Sequence, residues 1–323
     1  MTTQPSPPQL PPIRGDDVRI ERASASNRRQ AVARLLTAVG RPELAAADRF
    51  ITYAAANAIA LDYLWVAITP AAAPESACLA VCNPGRTAVF FAGPHAAPTL
   101  PAVIDATCVD LAANDVTLAQ VLFDPSEGAA CTAFERAGFH RLAAISYLER
   151  PLERRGSRSE LAPLPADVTI EPYDEAHRDA VLRILDASYV DTLDCPGLRG
   201  LRRTEDILAG HQGTGVFDPG LWSLLRVDDV PRGILMFNAI PPSQTIELVY
   251  LGLDATVRGR GLGRLLLEHG LDRLRTRRER AITLAVDDDN APAAALYRSV
   301  GFRRVLRRIA LIRDLRAAAP TAP

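Results

Sequence analysis

The run Arg258-Gly259-Arg260-Gly261-Leu262-Gly263 carries the sharpest chemistry in the chain. Glycines at alternate positions let the backbone turn tightly and approach a ligand closely. Their N–H groups, opening a helix, make an anion site suited to a diphosphate. The plainer alternative is a helix-capping turn. A dinucleotide fingerprint is a poor match, because it needs Gly-x-Gly-x-x-Gly inside a parallel sheet. Here the pattern is Arg-x-x-Gly-x-Gly, and the strands before it read as antiparallel. Glu247 lies on the strand leading to this loop, among apolar neighbours. Partial burial there would raise its pKa and make it a usable base, while the alternative is an exposed strand position. Asp287, Asp288 and Asp289 form an acidic run that is either a solvated turn or an attraction for a cationic substrate.

The elements around these residues follow from periodicity. In the second half, strand Val168–Pro172 precedes a helix over Glu175–Tyr189 and a weaker one over Gly200–Ala209. Strands Leu221–Val227 and Gly233–Ala239 flank a turn at Asp228-Asp229-Val230-Pro231. Strand Ile246–Leu253 leads into the glycine loop, then come helix Gly261–Arg277, strand Ala281–Val286, helix Ala291–Ser299 and strand Arg304–Ile312. Antiparallel strands followed by a β-α-β unit imply a mixed sheet with helices on both faces, an α/β (α+β) fold.

The first half repeats the order: strand Val18–Glu21, helices Asn27–Ala38 and Pro42–Ala56, and strands Tyr63–Ile68, Ala77–Cys82 and Thr87–Phe91. Helix Leu100–Ala113, strand Leu118–Phe123, helix Gly128–Ala137 and strand Leu142–Glu149 follow. Setting Gly138-Phe139 on Gly301-Phe302 brings Phe134 onto Tyr297, Ala130 onto Ala293, Glu127 onto Asn290, Asp124 onto Asp287 and Arg141 onto Arg304. Such a match implies duplication of one structural unit. The expected organisation is a disordered tail over 1–15, a degenerate domain over 16–150, a linker over 151–166, the intact domain over 167–316 and a second disordered tail over 317–323.

Arg258-x-x-Gly261-x-Gly263 resembles the acetyl-CoA pyrophosphate loop of the GNAT family of N-acetyltransferases. The later Asn290-x-x-Ala293-x-x-Leu296-Tyr297-x-x-x-Gly301-Phe302 resembles that family's second motif, in the right order and at the right separation. The resemblance covers about Asp167–Leu315 and implies two tandem acyl-CoA N-acyltransferase domains, similar in layout to mycothiol synthase. It further implies that backbone N–H groups of Gly259, Arg260, Gly261, Leu262, Gly263 and Arg264 bind the CoA diphosphate. The Arg258 and Arg260 side chains would add charge. Leu251, Gly252 and Leu253 would run beside the pantetheine arm, one of their amides polarising the thioester carbonyl. Tyr297 would sit near the CoA sulfur and protonate the departing thiolate; the alternative is a packing aromatic. Asn290, with Ala293 in the same motif, would contact the CoA arm or cap the following helix. A Glu at a similar distance before the loop occurs in the mycothiol synthase type and supports Glu247 as the base.

The first half departs where it matters. After Phe91 the chain reads Ala92-Gly93-Pro94-His95-Ala96-Ala97-Pro98, without the glycine pattern and with prolines that remove N–H donors. Phe134 has no proton to give, and Glu127 adds negative charge. This half is expected not to catalyse.

Composition bounds the rest. The 323 residues fit two domains, and 37 basic against 38 acidic residues leave no basic face for nucleic acid. Every basic residue is Arg, which excludes a catalytic Lys. The five cysteines and five histidines lack metal-ligand spacing, so no metal is expected. No secretory signal or membrane-length apolar run is seen, and a cytoplasmic location is expected. The function expected is acetyl transfer from acetyl-CoA to a small-molecule or peptide amine, without nucleic acid or membrane. The alternatives are a non-catalytic acetyl-CoA-binding regulator and a mycothiol-synthase-like enzyme. The acceptor would be read by the stretch Tyr189–Gly215, where no motif exists.

Overall fold

The computed structural model describes residues 18–37, 42–70, 73–152 and 161–316. The tails expected at 1–15 and 317–323, and residues 153–160 of the expected linker, lie outside the described residues. The chain forms two compact units. One comprises residues up to Leu142 together with those from Ile309 onward; the other is Ala143–Arg308. The boundary therefore does not follow chain order as the sequence suggests, because the first unit takes in the second half of the last described strand.

In the first unit the elements are β1 (Arg19–Arg22), α1 (Arg28–Leu36), α2 (Leu44–Ala56), β2 (Tyr63–Ile68), β3 (Pro74–Asn83), β4 (Thr87–Gly93), α3 (Leu100–Ala113), β5 (Leu118–Phe123) and α4 (Gly128–Arg136). Strand β6 (His140–Pro151) then leads into the second unit, which holds β7 (Val168–Pro172), α5 (Arg178–Ser188), α6 (Thr204–Gln212), β8 (Ser223–Val227), β9 (Val230–Ile240), β10 (Thr245–Leu253), α7 (Leu262–Arg273), β11 (Ala281–Asp287) and α8 (Ala291–Ser299). Strand β12 (Arg303–Asp314) closes the order.

The first unit's sheet is ordered β1-β2-β3-β4-β5-β12, with only β4 and β5 parallel. Its β12 portion, Ile309–Asp314, is anchored by Arg313, whose Nη1 donates to Asp105 Oδ1 and Ala137 O, each at 2.7 Å. The second unit's sheet is ordered β6-β11-β10-β9-β8-β7, with only β10 and β11 parallel. Both are mixed sheets, as the element order requires. The β8–β9 turn is tighter than expected. Asp228 and Asp229 alone form it, at φ 49° and 61°, and Val227 pairs with Val230. Two central residues with positive φ are what a two-residue hairpin needs to match strand twist, so Val230 and Pro231 belong to the strand.

Each strand of the second unit presents alternate residues to opposite faces. Leu235, Phe237, Ile246, Leu248, Ile282 and Leu284 pack against Leu262, Leu266 and Leu267 of α7 and against Tyr297 of α8. On the other face Leu224, Ile234 and Met236 meet Val181, Ile184 and Leu185 of α5 and Leu208 of α6. Asn238 is fully buried on β9 and satisfies three groups at once. Its Nδ2 donates to His211 O and Thr214 O at 2.7 and 2.6 Å, and its Oδ1 accepts from Trp222 Nε1 at 2.9 Å. No helix among the described residues is long and apolar enough to cross a membrane. Replacing Asn238→Ala strands one indole N–H and two carbonyls. We expect a loss of about 2–4 kcal/mol, measured as a lower midpoint in urea at unchanged m-value.

Candidate functional site

The second unit opens a cleft where two parallel strands part. β10 pairs with β11 only from Thr245–Leu248 against Ala281–Leu284. At that point β10 also shifts register against β9, between Leu248 and Tyr250. An inserted residue bends its strand and increases the local twist, which carries the end of β10 away from β11. From Val249 to Leu253 every second residue therefore aims its N–H and C=O away from β9, toward the gap. The cavity there is about 370 Å³, lined by Leu248–Leu253, Val286, Asn290, Ala293 and Tyr297 on one side and by Ser188, Tyr189 and Asp191–Asp194 on the other. Leu251, Gly252, Leu253, Arg258, Asn290, Ala293 and Tyr297 thus meet in one place.

The glycine loop stands at the start of α7. Gly259 and Gly261 adopt φ 77° and 79°, a region that L side chains rarely enter. A Cβ on Gly263 would meet only ordinary contacts, 3.6 Å from Leu253 Cδ1, so packing alone does not demand glycine there. The N–H groups of Leu262, Gly263 and Arg264 in the first turn have no intrahelical acceptor and lie at the positive end of the helix dipole.

The arginines of the loop, expected to add charge for a diphosphate, are bonded within the protein. Arg258 donates from Nη2 to Ser188 O at 2.6 Å, from Nη1 to Val190 O at 2.9 Å and from Nε to Leu253 O at 3.3 Å. It braces the end of β10 against the carbonyl end of α5, where a cation is favoured by the helix dipole. Arg260 Nη2 donates to Asp167 Oδ2 at 2.6 Å, and its guanidinium holds that carboxyl below the usual range. Arg264 donates to Glu268 at 2.8 Å and to Ser299 Oγ at 3.1 Å. All three guanidinium groups are engaged with protein acceptors.

Tyr297 is buried on α8, its ring 5.9 Å from Phe302, and it lines the cavity. Burial, and then the nearby Asp194, pushes its phenol upward, so it holds its proton across the physiological range. Asn290 Oδ1 accepts from Ala293 N at 3.2 Å and caps α8. Its side chain also bonds to Asp194. Glu247 is half-buried, one residue before Leu248 on β10, in register with Asn238 and Thr283. It does not line the cavity. Burial pushes its carboxyl upward, and burial followed by the Glu247 charge raises the half-buried phenol of Tyr147.

In the acidic run Asp289 is exposed in a turn, but Asp287 and Asp288 are engaged within the protein. Asp287 is buried and accepts from Cys195 N at 3.1 Å and Asp289 N at 3.0 Å, while its own N–H donates to Asp194 Oδ1 at 3.3 Å. Asp288 is paired with Arg307 at 2.6 Å and bonded to Ser146. The segment Asp194-Cys195, with Cys195 at φ 46°, is thereby clasped to the end of β11 and walls the cleft. Other wall residues carry no motif. Tyr250 folds over Gly252, whose added Cβ would fall 2.5 Å from the ring, and its hydroxyl is bonded to that of Ser188 at 2.6 Å. His211 stacks on Tyr250 at 5.0 Å and is pushed down to about 3 by burial, so it stays neutral. The stretch Tyr189–Gly215 contributes Tyr189, Asp194 and His211 to this region, but the sequence did not single them out individually.

In the first unit, the positions of Tyr297 and Asn290 are taken by Phe134, buried among Phe90, Phe123 and Phe139, and by Glu127, whose carboxylate accepts from Asp124 N at 3.0 Å.

Residues 188–302 match the model of the Acetyltransferase (GNAT) family, so the second unit carries a GNAT acetyltransferase domain. The chain is similar to mycothiol acetyltransferase of Beutenbergia cavernae, 32% identical over 180 residues, which cover 53% of this chain and 59% of the relative. Against mycothiol acetyltransferase of Thermomonospora curvata it is 32% identical over 182 residues, 56% of this chain and 58% of the relative. The match thus spans under two thirds of these relatives' length. Among solved structures, a GCN5-related N-acetyltransferase from Sphaerobacter thermophilus superposes with TM-score 0.58 at 16% identity, covering 94% of this chain and 97% of that one. A tandem GNAT protein from the clavulanic acid biosynthesis pathway gives 0.52 at 15% identity, covering 93% and 99%. At such identity the likeness concerns the fold: a mixed α/β GNAT architecture.

The brace assigned to Arg258 separates from a ligand role in one variant. Arg258→Ala is expected to lower stability by about 1 kcal/mol, read as a lower thermal midpoint without ligand. A variant of unchanged midpoint that binds acetyl-CoA more weakly would instead make Arg258 a diphosphate ligand.

Proposed function

We propose that this chain is an N-acetyltransferase whose second unit moves the acetyl group of acetyl-CoA to an amine by direct attack. The observation that carries the reading is the parting of β10 and β11 beside Tyr297, with the first turn of α7 at the same end of β10. A pantetheine arm is an extended chain with two amides, and an open strand edge is its natural partner. The free amides of Leu262, Gly263 and Arg264 suit the diphosphate. Leu251, Gly252 and Leu253 take the arm, and one of their N–H groups polarises the thioester carbonyl.

The attacking amine must be neutral. Glu247, raised by burial and set on the strand that enters the cleft, accepts its proton through water. The amine adds to the thioester carbon, the C–S bond breaks, and Tyr297 gives its proton to the sulfur. Positioning of the two substrates supplies much of the rate gain. The curated relatives named above favour an acceptor of the mycothiol-precursor kind, an aminosugar conjugate bearing a free cysteine amine. Its polar groups would meet Tyr189, Asp194 and the hydroxyls of Ser188 and Tyr250.

Two variants test the assignment. Tyr297→Phe is expected to lower kcat about a hundredfold with little change in the calorimetric affinity for acetyl-CoA. Retention of full turnover would remove Tyr297 as the acid. For Glu247, the base works only when ionised, so kcat should rise with pH through a pKa above the ordinary carboxylate value. Glu247→Gln should abolish that acid limb and slow turnover. An unchanged pH profile in the variant would assign the limb to another group.

A further inference from the structure

The first unit keeps the geometry of a ligand cleft after losing the groups that hold a phosphate. β4 and β5 are parallel-paired only over Thr87–Val89 and Leu118–Gln120. Beyond that, Phe90–Ala92 and Val121–Phe123 border a cavity of about 600 Å³, within the range of small-molecule sites. The second unit has its own cleft at the corresponding parting. The chemistry of this cavity is different. Its body is made by Phe50, Leu79, Val81, Val89, Phe90 and Phe123, and no arginine lines it among the described residues. The back wall is firm, because Phe90 and Phe123 meet Phe134 edge-on at 6.3 and 5.2 Å, and Phe90 meets Phe139 at 5.4 Å. At the rim Leu36, Phe91 and Leu122 are 44%, 52% and 42% exposed, an apolar patch gathered on one concavity.

The polar side chains present are Asn83, His95 and Glu127. Glu127 brings a carboxylate where a cation would be needed for an anionic ligand. Glycine-loop amides are missing too, since Pro94 and Pro98 interrupt the segment before α3 and carry no N–H. What remains for a ligand is an apolar slot and the edge of β4 beyond Val89, whose alternate amides are not paired with β5.

We propose that this cavity binds an uncharged acyl ester or amide, its chain against the phenylalanine wall and its carbonyl toward the open edge of β4. Acyl-CoA does not fit as its ligand, because no cationic side chain among the described lining residues compensates a diphosphate. The apolar surface at the rim is then covered by ligand, which accounts for three large hydrophobic side chains left in solvent around a single hollow.

The test uses the full chain and the neutral fluorophore phenylnaphthylamine. Saturable binding is expected, displaced by methyl esters of straight-chain acids and not by acetyl-CoA. Phe91→Asp or Leu122→Asp, both at exposed rim positions, should weaken binding at least about tenfold. Tyr53→Asp changes an aromatic that is 55% exposed and does not line the cavity, and it should leave binding unchanged. A thermal midpoint within error of the parent for each variant guards against unfolding. The proposal is overturned by the absence of saturable binding, by displacement with acetyl-CoA, or by indifference to both rim substitutions.

Discussion

The second unit depends on where a β-sheet stops being a sheet. Parallel pairing of β10 with β11 lasts through Leu248 and Leu284 and then ceases, because the shift between Leu248 and Tyr250 turns the strand away. A backbone edge without a neighbour is costly unless something pairs with it. Here that edge lies between a helix bearing Tyr297 and a helix opening on glycines. The same parting recurs in the first unit after Val89 and Gln120. The early end of parallel pairing, repeated, yields two hollows of opposite chemical character, although β4 pairs with β3 without the register shift seen in β10.

Keeping such a gap open requires walls that do not collapse into it. Arg258 ties β10 to the end of α5 through main-chain carbonyls, and the Asp194-Cys195 segment is tied to Asp287 through backbone amides. These bonds use the termini of elements, where backbone groups lack partners of their own. The hydroxyl pair of Ser188 and Tyr250 adds a third tie across the same wall. A side chain at position 252 would displace the Tyr250 ring from it.

The parts of this arrangement visible in the sequence are those fixed by local backbone demands. Gly259 and Gly261 were legible because positive φ leaves few alternatives to glycine. Asn290 was legible as a cap and Tyr297 by its place in the motif that follows. The register shift in β10 was not, since Leu248-Val249-Tyr250 contains no glycine or proline to mark it. Nor was the clasp, because Asp194 and Asp287 are far apart in the chain and meet only through the fold. The bonds of Arg258 to Ser188 O and Val190 O were not legible for the same reason, as those carbonyls lie far away in the chain. In the first half, Phe134 and Glu127 were legible as losses, but the cavity they leave depends on how Phe90 and Phe123 pack.

The make-up of the first unit bears on how the chain comes to be folded. Its sheet is completed by Ile309–Asp314, which pair with Leu118–Phe123 and are pinned by Arg313. Synthesis runs from the N-terminus, so this edge waits until the strands β6 to β11 of the second unit have been made. Until then β5 presents unpaired N–H and C=O groups, the kind of edge that invites pairing with other chains. A fragment ending in the segment between the units would carry the same open edge permanently. The first unit is therefore not an autonomous module that could be shed or fused elsewhere; it is finished last by residues translated after every strand of its neighbour.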